Sequence, residues 1–94
     1  MATVVLAPAL SRWLDPAGTS ASERSVELAG ADVQALLDAL FLQYPVLRGY
    51  VQDEHGALRH HVAVFVDGSP LRDKSALHTP VQRNLYLVQA LSGG

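Results

Sequence analysis

Gly93 and Gly94 close the sequence, and they are the residues where chemistry can be done without a reactive side chain. Glycine has no Cβ, so such an end can enter a narrow channel and take positive φ without strain. The Gly94 carboxylate is a poor electrophile, because its charge is spread over two oxygens. It is also unhindered, since Gly94 carries no side chain. Leu91, Ser92 and Gly93 form the slim stretch that would thread ahead of it. The six residues from Gln89 reach roughly 20 Å when extended, enough to enter the site of another protein. Residues 89–94 are therefore expected to be a flexible tail on a domain spanning 1–88.

Other reactive types are sparse. There is no cysteine, which removes thiolate metal sites and a cysteine nucleophile and fits a reducing compartment. His55, His60, His61 and His78 are the histidines. His60 and His61 are neighbours in the approach to a strand, where successive side chains point to opposite faces, so they are expected not to chelate together. Solvated or capping roles are expected for all four, and no metal site. Asp53-Glu54 is a carboxylate pair expected in a solvated turn. Lys74, the only lysine, can accept an isopeptide bond but is expected to be a solvated side chain. No Gly-x-Ser-x-Gly elbow and no phosphate-binding glycine loop occurs. The net charge is −2 with basic residues scattered singly, unlike the clustered stripe of a nucleic-acid binder. No apolar run approaches a membrane span, and the start lacks the basic region of a secretory signal. A cytoplasmic protein without nucleic-acid or membrane partners is expected.

The elements that must hold the Gly-Gly end can be read from periodicity. Thr3 to Ala7 alternates as a strand that Pro8 ends, and Leu10, Trp13 and Leu14 follow as anchors. Asp15 to Glu23 is rich in turn formers and predicts a hairpin tip; Arg24 to Leu28 returns as a second strand. Gly30 punctuates. Val33, Leu36, Leu37, Leu40, Phe41 and Tyr44 then form one apolar stripe, predicting a helix over 31–44 with Asp32 in its first turn. Pro45 stops it. Val46 to Arg59 is mixed. Val62, Val64 and Val66 alternate with His61, Ala63 and Phe65 as a strand, Asp67-Gly68-Ser69-Pro70 turns, and Leu71-Arg72 offers a short edge strand. Leu85 to Val88 is the last strand.

One amphipathic helix and several one-faced strands are best satisfied by an α+β fold, a mixed four- to five-stranded sheet with the main helix across one face. Val4, Leu6, Val26, Leu28, Val62, Val64, Leu85 and Leu87 share the parity that would meet the helix. The opposite parity exposes Val5, Ala7, Ala63, Phe65, Tyr86 and Val88. So many apolar residues on a solvent face mark a partner-binding surface, for which Val5, Ala63, Phe65, Tyr86 and Val88 are the candidates.

This order of elements ending in Gly-Gly resembles the ubiquitin-like β-grasp, and more closely the ThiS/MoaD-type bacterial sulfur carriers. The resemblance lies in Leu6-Ala7-Pro8-Ala9-Leu10, Tyr44-Pro45, Asp53-Glu54-His55-Gly56-Ala57-Leu58-Arg59, His61 to Gly68, and Ala90-Leu91-Ser92-Gly93-Gly94. The middle segment is most similar to carriers that feed cysteine synthesis. Family members often carry Asp-Gly-Asp/Glu before the last strand, where this chain has Gln82-Arg83-Asn84; Asn tolerates left-handed geometry, so the turn is still expected. The resemblance implies a protein with no catalysis and no bound cofactor of its own. An E1-like adenylating enzyme would use ATP to activate Gly94, sulfur would convert it to a thiocarboxylate, and a biosynthetic enzyme would accept the sulfur. A ubiquitin-like modifier conjugated through Gly94 and a plain β-grasp interaction module are the alternatives.

Overall fold

The computed structural model describes residues 1–11 and 23–89, with the side chains of Ala9 and Ser11 outside the description. The expected anchors Trp13 and Leu14, most of the predicted hairpin tip, and the tail residues Leu91, Ser92, Gly93 and Gly94 lie outside the described residues. In order, the elements are β1 (Ala2–Leu6), α1 (Pro8–Ser11), β2 (Arg24–Leu28), α2 (Val33–Gln43), α3 (Val46–Val51), β3 (Val62–Val66), β4 (Ser69–Pro70) and β5 (Asn84–Gln89). The strands form one mixed sheet in the order β2-β1-β5-β3-β4. β5 lies at its centre, parallel to β1 and antiparallel to β3. No described helix is long and apolar enough to cross a membrane.

The parity read from the sequence holds across the sheet. Val4, Leu6, Val62, Leu85 and Leu87 are fully buried, with Leu28 and Val64 nearly so, against Val33, Leu36, Leu37, Leu40 and Phe41 of α2. Val26, expected among them, is only half-buried because β2 is an edge strand. Leu10 of α1 is also fully buried and serves as the anchor expected of it. Pro8 begins that helix, where its missing N–H costs nothing.

α2 starts two residues later than periodicity predicts, for a tertiary reason. Asp32 is not in the first turn but is the N-cap, its side chain accepting from Ala35 N at 2.8 Å. Ala31 and Asp32 are engaged by the loop before β5: Val81 N donates to Ala31 O at 3.0 Å, and Asp32 bridges Pro80. The same loop accepts the first helical N–H groups, Val33 N to Thr79 O (3.1 Å) and Gln34 N to Leu77 O (2.8 Å). Gly30 allows the chain to enter this tightly. A Cβ there would stand 2.9 Å from Leu36 N.

Two further elements differ from expectation. Pro45 does not simply end α2; it caps α3, a turn and a half that drives Leu47 and Val51 into the core. Spacing of one i, i+4 pair around Gly49 is too little for periodicity to detect. The edge strand β4 comes at Ser69–Pro70 rather than Leu71-Arg72, because the turn needs only Asp67 (φ 50°) and Gly68 (φ 90°). Two residues at positive φ match the primed hairpin turn favoured by strand twist, and they set Val66 against Ser69.

Leu87 sits in the central strand with no exposed surface. Leu87→Ala should lower the unfolding free energy by about 3 kcal/mol, read by urea denaturation, as deletion of a fully buried leucine does elsewhere.

Candidate functional site

The outer face of the sheet collects the predicted contact residues. Val5, Ala7, Ala63, Phe65, Tyr86 and Val88 all point away from α2. They are half-buried rather than exposed, which corrects the expectation from parity alone. The register explains it: Tyr86 on the central strand is flanked by Val5 and Phe65, and Val88 faces Ala63. Neighbours on one face cover one another's sides and leave their outer surfaces to solvent.

Between Phe65 and Tyr86 the face opens into a cleft of about 300 Å³, completed by Gly68 and Asn84. The Tyr86 hydroxyl donates to the Glu23 carboxylate at 2.5 Å, which holds the ring at the cleft. That hydrogen bond to the carboxylate, with burial and the nearby negative charge adding to it, raises the Tyr86 pKa above the usual phenol value. The ring therefore stays neutral and stays a donor.

Asp67 is the residue that sequence reading missed. One Asp67 carboxylate accepts three backbone N–H groups, from Gln82 (3.0 Å), Arg83 (2.7 Å) and Asn84 (3.0 Å), and Asp67 N donates back to Asn84 O at 3.0 Å. The segment before β5 is thus organised from the end of the adjacent strand β3. Asn84 takes no left-handed geometry; among the described residues Asp67 is the only non-glycine at positive φ. A turn Asp-Gly was visible in the sequence, but nothing there showed that its carboxylate reaches fifteen residues along the chain.

The remaining candidates are structural. His60 and His61 are not on opposite faces, because they sit in a turn before β3 and their rings approach edge-to-face at 5.6 Å. His61 Nε2 donates to Tyr50 O at 3.0 Å and its ring packs on Tyr50 at 4.8 Å. Among the described residues no three His, Cys, Asp or Glu side chains come together as metal ligands. Asp53 ties its own loop, accepting from His55 N (2.8 Å) and Ala57 N (3.1 Å). Those bonds, Ala57 foremost, hold its pKa below the ordinary value. Lys74 is not a freely solvated side chain: Nζ donates to the carbonyls of Arg59 (3.1 Å), His60 (2.8 Å) and Val62 (2.8 Å). β5 runs one residue beyond the predicted strand at each end, and Gln89, the last described residue, pairs with Val62.

The whole chain can be laid on known structures. CysO of Amycolatopsis orientalis, crystallised in complex with BexX, matches at TM-score 0.71 and 22% identity, covering 97% of this chain and 99% of that one. CysO of Mycobacterium tuberculosis matches at TM-score 0.70 and 19% identity over 94% of this chain and 99% of that one. The SAMP1 protein of Haloferax volcanii matches at TM-score 0.62 and 26% identity, over 98% and 99%.

The fold is the ubiquitin-like β-grasp.

No family model and no curated protein matches the sequence. In this β-grasp the central strand has two jobs, with Leu85 and Leu87 in the core and Tyr86 and Val88 on the outer face. Asp67 sets where that strand begins. Its three N–H donors and the nearby Arg83 charge hold its pKa below the usual aspartate value of 3.8, the backbone bonds from Gln82, Asn84 and Arg83 being the main causes. A depressed folded pKa contributes stability that is present above the ordinary pKa and is lost as pH falls through the folded value. Asp67→Asn tolerates the positive φ but carries no charge. The variant should unfold at lower urea than the native chain at neutral pH, and the two midpoints should converge as pH drops through that acidic window.

Proposed function

We propose that this protein is a sulfur carrier that is activated and loaded at Gly94 and has no catalytic activity of its own. The observation that carries this reading is the build of β5: a strand anchored at the centre of a β-grasp, flanked by an apolar face, leading into Ala90-Leu91-Ser92-Gly93-Gly94. The full-length likeness to CysO supports the carrier class, and the complex of A. orientalis CysO with BexX supports a partner enzyme.

In the proposed cycle an E1-like enzyme docks on Val5, Ala63, Phe65, Tyr86 and Val88, and the tail threads into its site. The five residues after Gln89 span about 17 Å when extended. A Gly94 carboxylate oxygen attacks the α-phosphorus of ATP and pyrophosphate leaves. Hydrosulfide then attacks the acyl carbon of the adenylate, the C–S bond forms as the C–O bond to AMP breaks, and AMP leaves with the oxygen. The product is the Gly94 thiocarboxylate, which a biosynthetic enzyme draws on as a sulfide donor. ATP belongs to the partner's site, and the cycle runs in the cytoplasm.

A second reading has an observation of its own. SAMP1 is a small archaeal modifier protein, and its likeness to this chain supports conjugation of Gly94 to lysines of other proteins. Both readings share the adenylate and differ in the acceptor.

Intact mass after incubation with ATP, a sulfur source and an activating enzyme decides between them. The carrier gains the difference between one sulfur and one oxygen on its C-terminal glycine; a modifier is recovered joined to other proteins through lysine. Deleting Gly94 should abolish either product and leave the unfolding midpoint unchanged. Retention of sulfur loading by the deletion variant would refute Gly94 as the loaded residue. Phe65→Asp should cut kcat/KM for adenylation by about tenfold or more while the chain still unfolds cooperatively, as loss of an aromatic contact at the heart of an interface does. Unchanged kcat/KM would remove the outer face from the docking surface.

A further inference from the structure

We infer that this protein presents no readily acylated side chain to its own activated end, because its single lysine is held where acylation is slow. The inference rests on activation of Gly94. An acyl-adenylate is a mixed carboxylic–phosphoric anhydride, and an unprotonated amine attacks it. The C–N bond forms, the C–O bond to AMP breaks, and the surplus proton of the amine passes to solvent. A second copy carrying an accessible lysine or thiolate would be consumed in this way before sulfur or a target arrived.

The chain offers neither. It contains no cysteine, and its basic side chains apart from the histidines are arginines, with Lys74 the one exception. A guanidinium stays protonated at neutral pH and does not act as a nucleophile. Lys74 Nζ lies within hydrogen-bond distance of three carbonyl oxygens, those of Arg59 (3.1 Å), His60 (2.8 Å) and Val62 (2.8 Å). An ammonium has three N–H donors and no acceptor, so all three are engaged and no lone pair is presented. The backbone of Lys74 is held as well, its carbonyl accepting from Leu58 N at 3.0 Å. Acylation would require the amine to leave all three carbonyls of one turn and lose its proton. The position of this turn sharpens the point. Val62 pairs with Gln89, but its carbonyl points to the other side of β3, as that of Val64 does in accepting from Leu71 N, so the only amine side chain in the molecule sits across β3 from the last residues of β5.

The consequence is selectivity by omission: an activated copy passes its acyl group to an external acceptor and forms no side-chain-linked polymer with others. Two measurements test it. In the first, native protein bearing Arg72→Lys, an exposed position, is treated with N-hydroxysuccinimidyl acetate and mapped by mass. Lys74 should be acetylated roughly tenfold or more slowly than the installed lysine, because reaction needs local opening. Comparable rates would overturn the lock. In the second, the chain is prepared with a C-terminal thioester at Gly94 by intein cleavage and concentrated. The native sequence should give no isopeptide-linked dimer through Lys74, whereas the Arg72→Lys and Gln43→Lys variants should. Dimers through Lys74, or equal silence of all three chains, would each show that the lysine lock does not set the outcome. Neither measurement uses an activating enzyme, so failure of the carrier reading and failure of this inference remain distinct.

Discussion

The parallel pairing of β1 with β5 is the contact on which the rest of the molecule depends. It places the last strand between the first and the third, so the strand that leads to Gly-Gly is paired along both edges. Its alternate residues Leu85 and Leu87 belong to one buried cluster with Leu36, Leu37 and Leu40 of α2, with no exposed surface at those positions. The strand is thus held on two edges and one face up to Gln89. The remaining face of the same strand carries Tyr86 and Val88. The apolar outer face and Gln89, the last described residue, therefore belong to one strand.

Two polar clasps stand at the ends of this arrangement. Asp67 gathers the N–H groups of Gln82, Arg83 and Asn84 where β5 begins, and Lys74 gathers the carbonyls of Arg59, His60 and Val62 close to where it ends. Each satisfies backbone groups that no strand pairing reaches, which a loop packed against a sheet must do in some way. Each uses charge to do it, and a charged partner makes the stronger hydrogen bond. The chain has few ionisable groups to spare, with charged residues at 17% of the sequence, and it spends two of them on the backbone around one strand.

The apolar surface is divided between two sides. The outer sheet face is partly self-covered and opens at the Phe65–Tyr86 cleft. On the helical side Leu42 is 81% exposed and Val46 55%, on either side of the Tyr44-Pro45 junction between α2 and α3. Leu42 lies off the buried stripe of α2, and Val46 opens a helix that periodicity did not announce. The two sides of the sheet differ in kind. The outer face is shaped by cross-strand neighbours, whereas the helical pair stands where one helix gives way to another.

What the sequence determined by itself was every property that follows from side-chain period. Alternation settled which residues of β1, β3 and β5 face inward, and the i, i+3, i+4 stripe settled the buried face of α2, because burying apolar area dominates those choices. The α+β architecture and the candidate outer face followed from that same pattern. Tertiary structure decided everything set by contacts between distant backbone groups. It moved the start of α2 to Val33 by engaging Ala31 and Asp32 with the 77–81 loop, and it made α3 from Val46 to Val51. It also brought the His60 and His61 rings together in a turn, half-covered Val5, Phe65 and Tyr86, and made clasps of Asp67, read only as a turn residue, and Lys74, read as a solvated side chain. Hydrogen-bond partners fifteen or twelve residues away leave no periodic trace, since nothing local in the chain distinguishes a solvated carboxylate or ammonium from one that a later loop will use.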